Sequence, residues 1–164
     1  MTENPKPAAM IFGEVASGGL ARGPAVVCGC SEDMIVPRRT IDAREAHKEM
    51  ERFDAAISIV ERDLKRLQEV VQRDAGKLEA GIFEAQVLLL HDAALREEVE
   101  TRCMSGKLNV EAAVDDAIEK LASVFVRLED PYFRERAADL RDVGKRLLDV
   151  LTKGRWSGVP ILPD

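Results

Sequence analysis

The sequence predicts a mainly α-helical domain, helical hairpins forming an antiparallel bundle, with short β segments at its edges. Three observations carry this. Between residues 42 and 153 apolar residues recur in steps of three and four, the spacing of one helix face. Aromatic residues make up only 4% of the 164, which suits aliphatic helix packing better than a β-sandwich. Outside that block the chain changes character, to glycine, proline and short strand-like runs.

Residues 1–9 are polar and proline-containing and read as a tail. Residues 10–37 hold Gly13, Gly18, Gly19, Gly23 and Gly29 around two strand-like runs, at 10–15 and 25–28. Two strands rarely stand alone, so this stretch reads as part of a sheet completed elsewhere.

At Asp42 the period changes. Asp42 with Glu45 forms a capping-box pair, aspartate standing in for serine or threonine, and opens a helix. Ala46, Met50, Phe53, Ile57, Val60, Leu64, Leu67 and Val71 then make a heptad stripe that ends near Gly76. From 42 to 75 such a helix is about 50 Å long, and it calls for a partner along its whole stripe. The next stretch, from Lys77 to about Leu90, is so crowded with apolar residues (Ile82, Phe83, Val87, Leu88, Leu89, Leu90) that it predicts burial on more than one face.

His91 and Asp92 interrupt that run. Asp92 can cap a helix through Leu95 and Val99 to Met104, stopped by Ser105 and Gly106. Asn109 is a natural N-cap for the next helix, whose stripe is Val110, Val114, Ala117, Leu121, Val124 and Leu128. Asp130 and Pro131 restart the chain as N-cap and first helical residue, and the last helix runs to Lys153 and Gly154. Short connections imply antiparallel neighbours. In this last helix Gly144 shares a face with Ala137, Leu140, Leu147 and Leu151. A mid-helix glycine costs about 1 kcal/mol relative to alanine, so a close approach of another helix backbone is expected there; a ligand contact is the alternative. After Gly154 the sequence RWSGVPILPD returns to proline and strand chemistry. A helical block at 38–153 therefore reads as an insertion between two β-containing pieces, with 154–164 as the start of the return.

Composition narrows the function. A net charge of −6 argues against non-specific nucleic-acid binding; it leaves open a basic partner or mere solubility. Cys28 and Cys30 flank a single glycine, the wrong spacing for a CxxC pair, and with Cys103 they read as reduced thiols, with no metal site. No targeting segment or membrane-length apolar run is visible, so a cytoplasmic protein is expected, with no membrane partner. Of two histidines, His47 lies on the charged side of the long helix and reads as exposed, and His91 reads as a cap or turn residue. No phosphate-binding loop and no nucleophile motif occurs, so no residue is assigned a catalytic role. Between Lys77 and Glu100 two cations, Lys77 and Arg96, face six acids, Glu79, Glu84, Asp92, Glu97, Glu98 and Glu100. Beside Leu89 and Leu95 this acidic face is a docking surface for a basic protein, or simply a solvated face over an ordinary core.

The stretches ERAADLRDVGKRLL at 135–148, LEDPYF at 128–133, GIFEAQVLLLHD at 81–92, GEVASGGLARGPA at 13–25 and ERFDAAI at 51–57 resemble enzyme I of the bacterial phosphotransferase system. That family comprises the phosphoenolpyruvate–protein phosphotransferases. The resemblance covers residues 11–164 and implies a helical subdomain of two hairpins inserted into an α/β swivelling domain, here incomplete. It implies docking of the small histidine-containing phosphocarrier, HPr, on Glu84, Leu89, Asp92 and Leu95, with Phe125, Phe133 and Arg136 from the other hairpin. The apolar members would bury against the carrier and the acids would face its basic residues. The family's phosphoryl-accepting histidine sits in a Gly-Gly-x-x-Ser-His type motif that neither His47 nor His91 matches, so this chain alone is expected to be inactive and without a cofactor. The complete enzyme would use Mg²⁺ and phosphoenolpyruvate. Gln86 stands where well-known members have histidine, Ala93 and Ala94 where they are acidic, and Gly18 where proline is usual, as in a paralogue with a different carrier. From the residues alone, a free-standing helical regulatory module without catalysis is the other reading.

Overall fold

Local capping chemistry marks where three of the helices begin. The structure is a computed structural model that describes residues 35–154 apart from 75 and 129. The tail at 1–9, the strand-like runs at 10–15 and 25–28 and the stretch after Gly154 lie outside the described residues. Those described form α1 (Ala43–Asp74), α2 (Lys77–Leu90), α3 (Ala93–Met104), α4 (Val110–Val126) and α5 (Pro131–Lys153). At α1 the Asp42 carboxylate accepts the backbone N–H of Arg44 at 2.8 Å and Glu45 at 2.9 Å, while Glu45 accepts the N–H of Asp42 at 3.1 Å. This is the reciprocal capping box. Asp92 caps α3 through the N–H of Ala94, and Asp130 caps α5 through the N–H of Tyr132. Pro131 sits at the first turn of α5, where its missing N–H costs nothing. Gly154 closes that helix at φ 71°, a left-handed geometry that glycine adopts without strain.

Asn109 corrects the simple capping expectation. It occupies the N-cap position of α4 but makes no side-chain cap bond. Its Oδ1 accepts the backbone N–H of Arg39 at 2.8 Å, and its Nδ2 donates to the Pro37 carbonyl and to Glu111, both at 2.7 Å. The first N–H of α4, on Val110, is satisfied instead by Glu49 of α1 at 2.8 Å. Glu49 also accepts from Arg39 and Arg52, and Arg52 reaches on to Glu111 and the Leu151 carbonyl. Glu49, Asn109 and Glu111 are all buried. Burying such groups is tolerable only because each is hydrogen-bonded and the charges are paired.

The helices pack as antiparallel hairpins. From α4 to α5, Ile118 lies against Gly144, Glu119 pairs with Arg141, and Phe125 stacks on Phe133, so the partner number falls as the α4 number rises. The α1–α2 hairpin turns at Gly76, and α3 packs on α4. Phe53, Leu64, Leu90, Leu95, Val99, Val114, Val143 and Leu147 are among the core residues, aliphatic apart from Phe53.

Three stripe expectations change. The α1 stripe is buried through Leu64, but Leu67 and Val71 are only half-buried toward the hairpin tip. Helix α2 is not buried on several faces: Leu78, Ile82 and Leu88 are 88, 51 and 71% exposed. Helix α4 ends at Val126, so Leu128 falls in the turn beyond it; Leu128 and Val124 are exposed, while Leu121 and Phe125 pack against the core. The heptad pattern tells which face of a helix is apolar, not how far a neighbour extends along it. At Gly144 the close neighbour is the Ile118 side chain, not another backbone.

Candidate functional site

At the end of the bundle where α2 turns into α3, a cleft of about 60 Å³ opens between α2, α3, α4 and α5. Leu95 and Leu140, 0 and 2% exposed, form its floor. Leu89, Leu121 and Phe125, each half-buried, form its walls, and the exposed Asp92 and Ala94 its rim. Local spacing explains the placement. Asp92 caps α3, which turns Leu95 inward three residues later; Leu121 and Phe125 are four apart on one face of α4.

A row of rings leads away from the cleft. Phe125 stacks on Phe133 with centroids 6.1 Å apart and planes 12° from parallel, and Tyr132 meets Phe133 edge-on at 5.4 Å. Both distances are typical of favourable aromatic pairs. One turn along α5, Arg136 donates from Nε and one terminal nitrogen to the Tyr132 hydroxyl at 3.2 and 3.1 Å, with its central carbon 5.3 Å from the ring centroid. Its other terminal nitrogen is 4.0 Å from Asp139. Burial holds the Asp139 carboxyl above its usual range; Arg136 opposes this, and Asp142 and Glu135 add to it.

The structure thus gathers Leu89, Asp92, Leu95 and Phe125 around one cleft and links Phe133 and Arg136 to it through rings. Glu84 is exposed on α2 and lines no part of the cleft. Leu95 corrects the expectation that the apolar members bury against a partner: it is fully covered already, a floor residue. Leu121, Leu140 and Ala94 also line the cleft, and Tyr132 joins the ring row beside it, although sequence reasoning did not select them. The signal for Tyr132 was its four-residue spacing to Arg136, the reach of neighbouring side chains on a helix.

Charge around the cleft is less lopsided than its sequence. Arg96 forms a bidentate pair with Asp54 of α1, and Glu98 is held by Arg102 and Lys120. The Asp92 carboxylate accepts the Ala94 N–H at 2.7 Å, so one of its oxygens serves the helix cap. Glu84, Glu97 and Glu100 are exposed and form no ion pair among the described residues.

His47 is exposed; His91 closes α2 and lies 3.0 Å from Glu61. Cys103 is fully buried, and burial pushes its thiol up to about 11. Cys28 and Cys30 lie outside the described residues. Among the described residues no cluster of three or more His, Cys, Asp or Glu is placed to hold a metal ion, and no helix is long and apolar enough to cross a membrane.

Residues 13–136 match the family described as PEP-utilising enzyme, N-terminal. The chain belongs to that family. Two relatives are the phosphoenolpyruvate-protein phosphotransferases of Buchnera aphidicola, 32% identical over 139 residues, and Listeria monocytogenes, 32% identical over 110. These alignments cover 85 and 67% of this chain, but the chain spans only 24 and 19% of those proteins. A solved relative, the NMR solution structure of Enzyme I (nEIt), is 33% identical with a TM-score of 0.70, over 74% of this chain and 49% of that one. The helical fold is therefore that of the Enzyme I N-terminal domain. In this PEP-utilising N-terminal domain the family match takes in α1 to α4 and the first turns of α5, including the whole ring row from Phe125 to Arg136.

Proposed function

We propose that this chain is the carrier-docking part of a phosphoenolpyruvate-dependent protein phosphotransferase, and that it binds an HPr-like histidine phosphocarrier at the α2–α3 cleft. The observation that carries this is the convergence of Leu89, Asp92, Leu95 and Phe125 on one opening. An apolar cleft with a polar rim is the anatomy of a protein interface. Half-buried Leu89 and Phe125 supply surface that a partner can cover, over a floor that Leu95 keeps rigid. Exposed Glu84, Asp92, Glu97 and Glu100 supply the steering field for a basic face. The phosphoryl-accepting histidine, Mg²⁺ and phosphoenolpyruvate belong to the complete enzyme, since neither His47 nor His91 lies in the family's histidine motif. Titration of the isotope-labelled 164-residue chain with an HPr protein, followed by NMR, tests this. Shifts centred on Leu89, Asp92, Leu121, Phe125 and Phe133, with affinity falling as salt rises, support it. Shifts on the outer face of α1, or none at millimolar carrier, overturn it. So does stable phosphoryl label on His47 or His91 after incubation with phosphoenolpyruvate, Mg²⁺ and a complete phosphotransferase C-terminal half.

A further inference from the structure

Arg136 is held in a way its neighbours do not need for folding. Its side chain is about one-third exposed, and Tyr132 is 54% exposed, so neither completes the core. Yet two of the guanidinium nitrogens, Nε and one terminal nitrogen, are both spent on the Tyr132 hydroxyl, at 3.2 and 3.1 Å. Guanidinium is a planar fork, so fixing one of its edges fixes the direction of the others. Among the described residues, the edge formed by the two terminal nitrogens has only the 4.0 Å approach to Asp139, longer than a hydrogen bond. Tyr132 is itself set by Phe133, which stacks on Phe125 in the cleft wall. The rings therefore form a continuous support from the cleft to a partly exposed guanidinium whose second edge makes no hydrogen bond among the described residues.

We propose that Tyr132 is a positioning residue of the docking site: it aims the outer edge of Arg136 at an oxyanion of the bound carrier. This rests on the docking reading above. The ligand chemistry is a carboxylate or a phosphoryl group, both of which take two parallel N–H bonds from arginine. Exposed arginine pairs are ordinarily weak because ordering the side chain opposes them. A guanidinium already ordered by Tyr132 escapes much of that opposition.

Tyr132→Phe is the test, because it keeps the ring and its contact with Phe133 while removing the acceptor. In the free chain the Arg136 Nε–H resonance, assigned by its loss in Arg136→Lys, should shift and exchange faster in Tyr132→Phe while the backbone spectrum stays otherwise unchanged. Binding of HPr should fall about tenfold, the scale of one charge-assisted hydrogen bond, and Tyr132→Phe should add nothing further to Arg136→Gln. Titration with phosphorylated and unphosphorylated HPr separates the sources: a loss confined to the phosphorylated form assigns the phosphoryl group, and an equal loss assigns a carboxylate. An unchanged Nε–H resonance, or wild-type affinity in Tyr132→Phe, overturns this inference and leaves the docking reading standing. A wild-type chain that binds neither form of HPr removes both, whatever the Nε–H resonance does.

Discussion

Ile118 fills the space over Gly144. A methyl group built on Gly144 would lie 2.9 Å from Ile118 Cγ1 and 3.0 Å from Cγ2, and a β-branched side chain inside a helix has almost one rotamer to offer. Gly144→Leu should therefore destabilise the chain by about 1–3 kcal/mol or more through overpacking, despite the higher helix propensity of leucine. A double-mutant cycle checks the cause: Ile118→Ala should cost less in a Gly144→Ala background than in wild type. A thermal melt of Gly144→Leu at or above wild type would retire this account.

Asn109→Ala should be costly for a surface-sized change. Asn109 is 2% exposed and bonds Arg39, Pro37 and Glu111. Its loss leaves the buried Glu111 carboxylate and the part-buried Arg39 N–H each short of a partner, about 1–3 kcal/mol. Hydrogen exchange at the Arg39 amide should accelerate first, because among the described residues its acceptor is the Asn109 side chain; protection unchanged at Arg39 contradicts the anchoring role.

Acid should weaken the same network. Burial alone would raise the Glu111 pKa, but hydrogen bonds from Arg52, from its own backbone N–H and from Asn109 outweigh that and hold it below the ordinary 4.5. The unfolded chain thus takes up this proton first as pH falls. The stabilising contribution of Glu111 is complete above pH 4.5 and fades as pH drops through the lower folded-state value. Urea unfolding across this range should show a shallower acid loss in Glu111→Gln than in wild type. An identical slope in both would place the acid sensitivity elsewhere.

Leu89 and Leu95 should separate binding from folding. Leu95 is fully buried, so Leu95→Ala should cost about 2–5 kcal/mol of stability and weaken carrier binding by loosening the cleft floor. Leu89 is half-buried in the wall, so Leu89→Ala should shift the melt much less and chiefly raise the carrier dissociation rate. Glu84→Gln should act on association rate alone. Comparing melts with dissociation rates for the two leucine variants is decisive: equal destabilisation, with no separate effect on the carrier, refutes the assignment.

Helix number and order were legible because the signals are local. The Asp42–Glu45 box, the Asp92 and Asp130 caps and Pro131 act within four residues of themselves, so the chain writes them at the place where they work. The family was legible for a related reason, in contiguous motifs such as those at 81–92 and 135–148. What no local pattern contained was which residues meet. Asn109 looks like a cap until Arg39, 70 positions away, takes its side-chain oxygen. Gly144 announces a close contact, yet only packing makes Ile118 the neighbour. Leu89, Leu95, Phe125 and Leu140 come from four helices, and periodicity gives each a face without a depth, so Leu95 as floor and Leu89 as wall were decided by tertiary structure. The capping bonds of α1, α3 and α5 are settled by neighbours along the chain, whereas the start of α4 and the burial of each residue depend on packed helices, which involves residues many tens of positions apart.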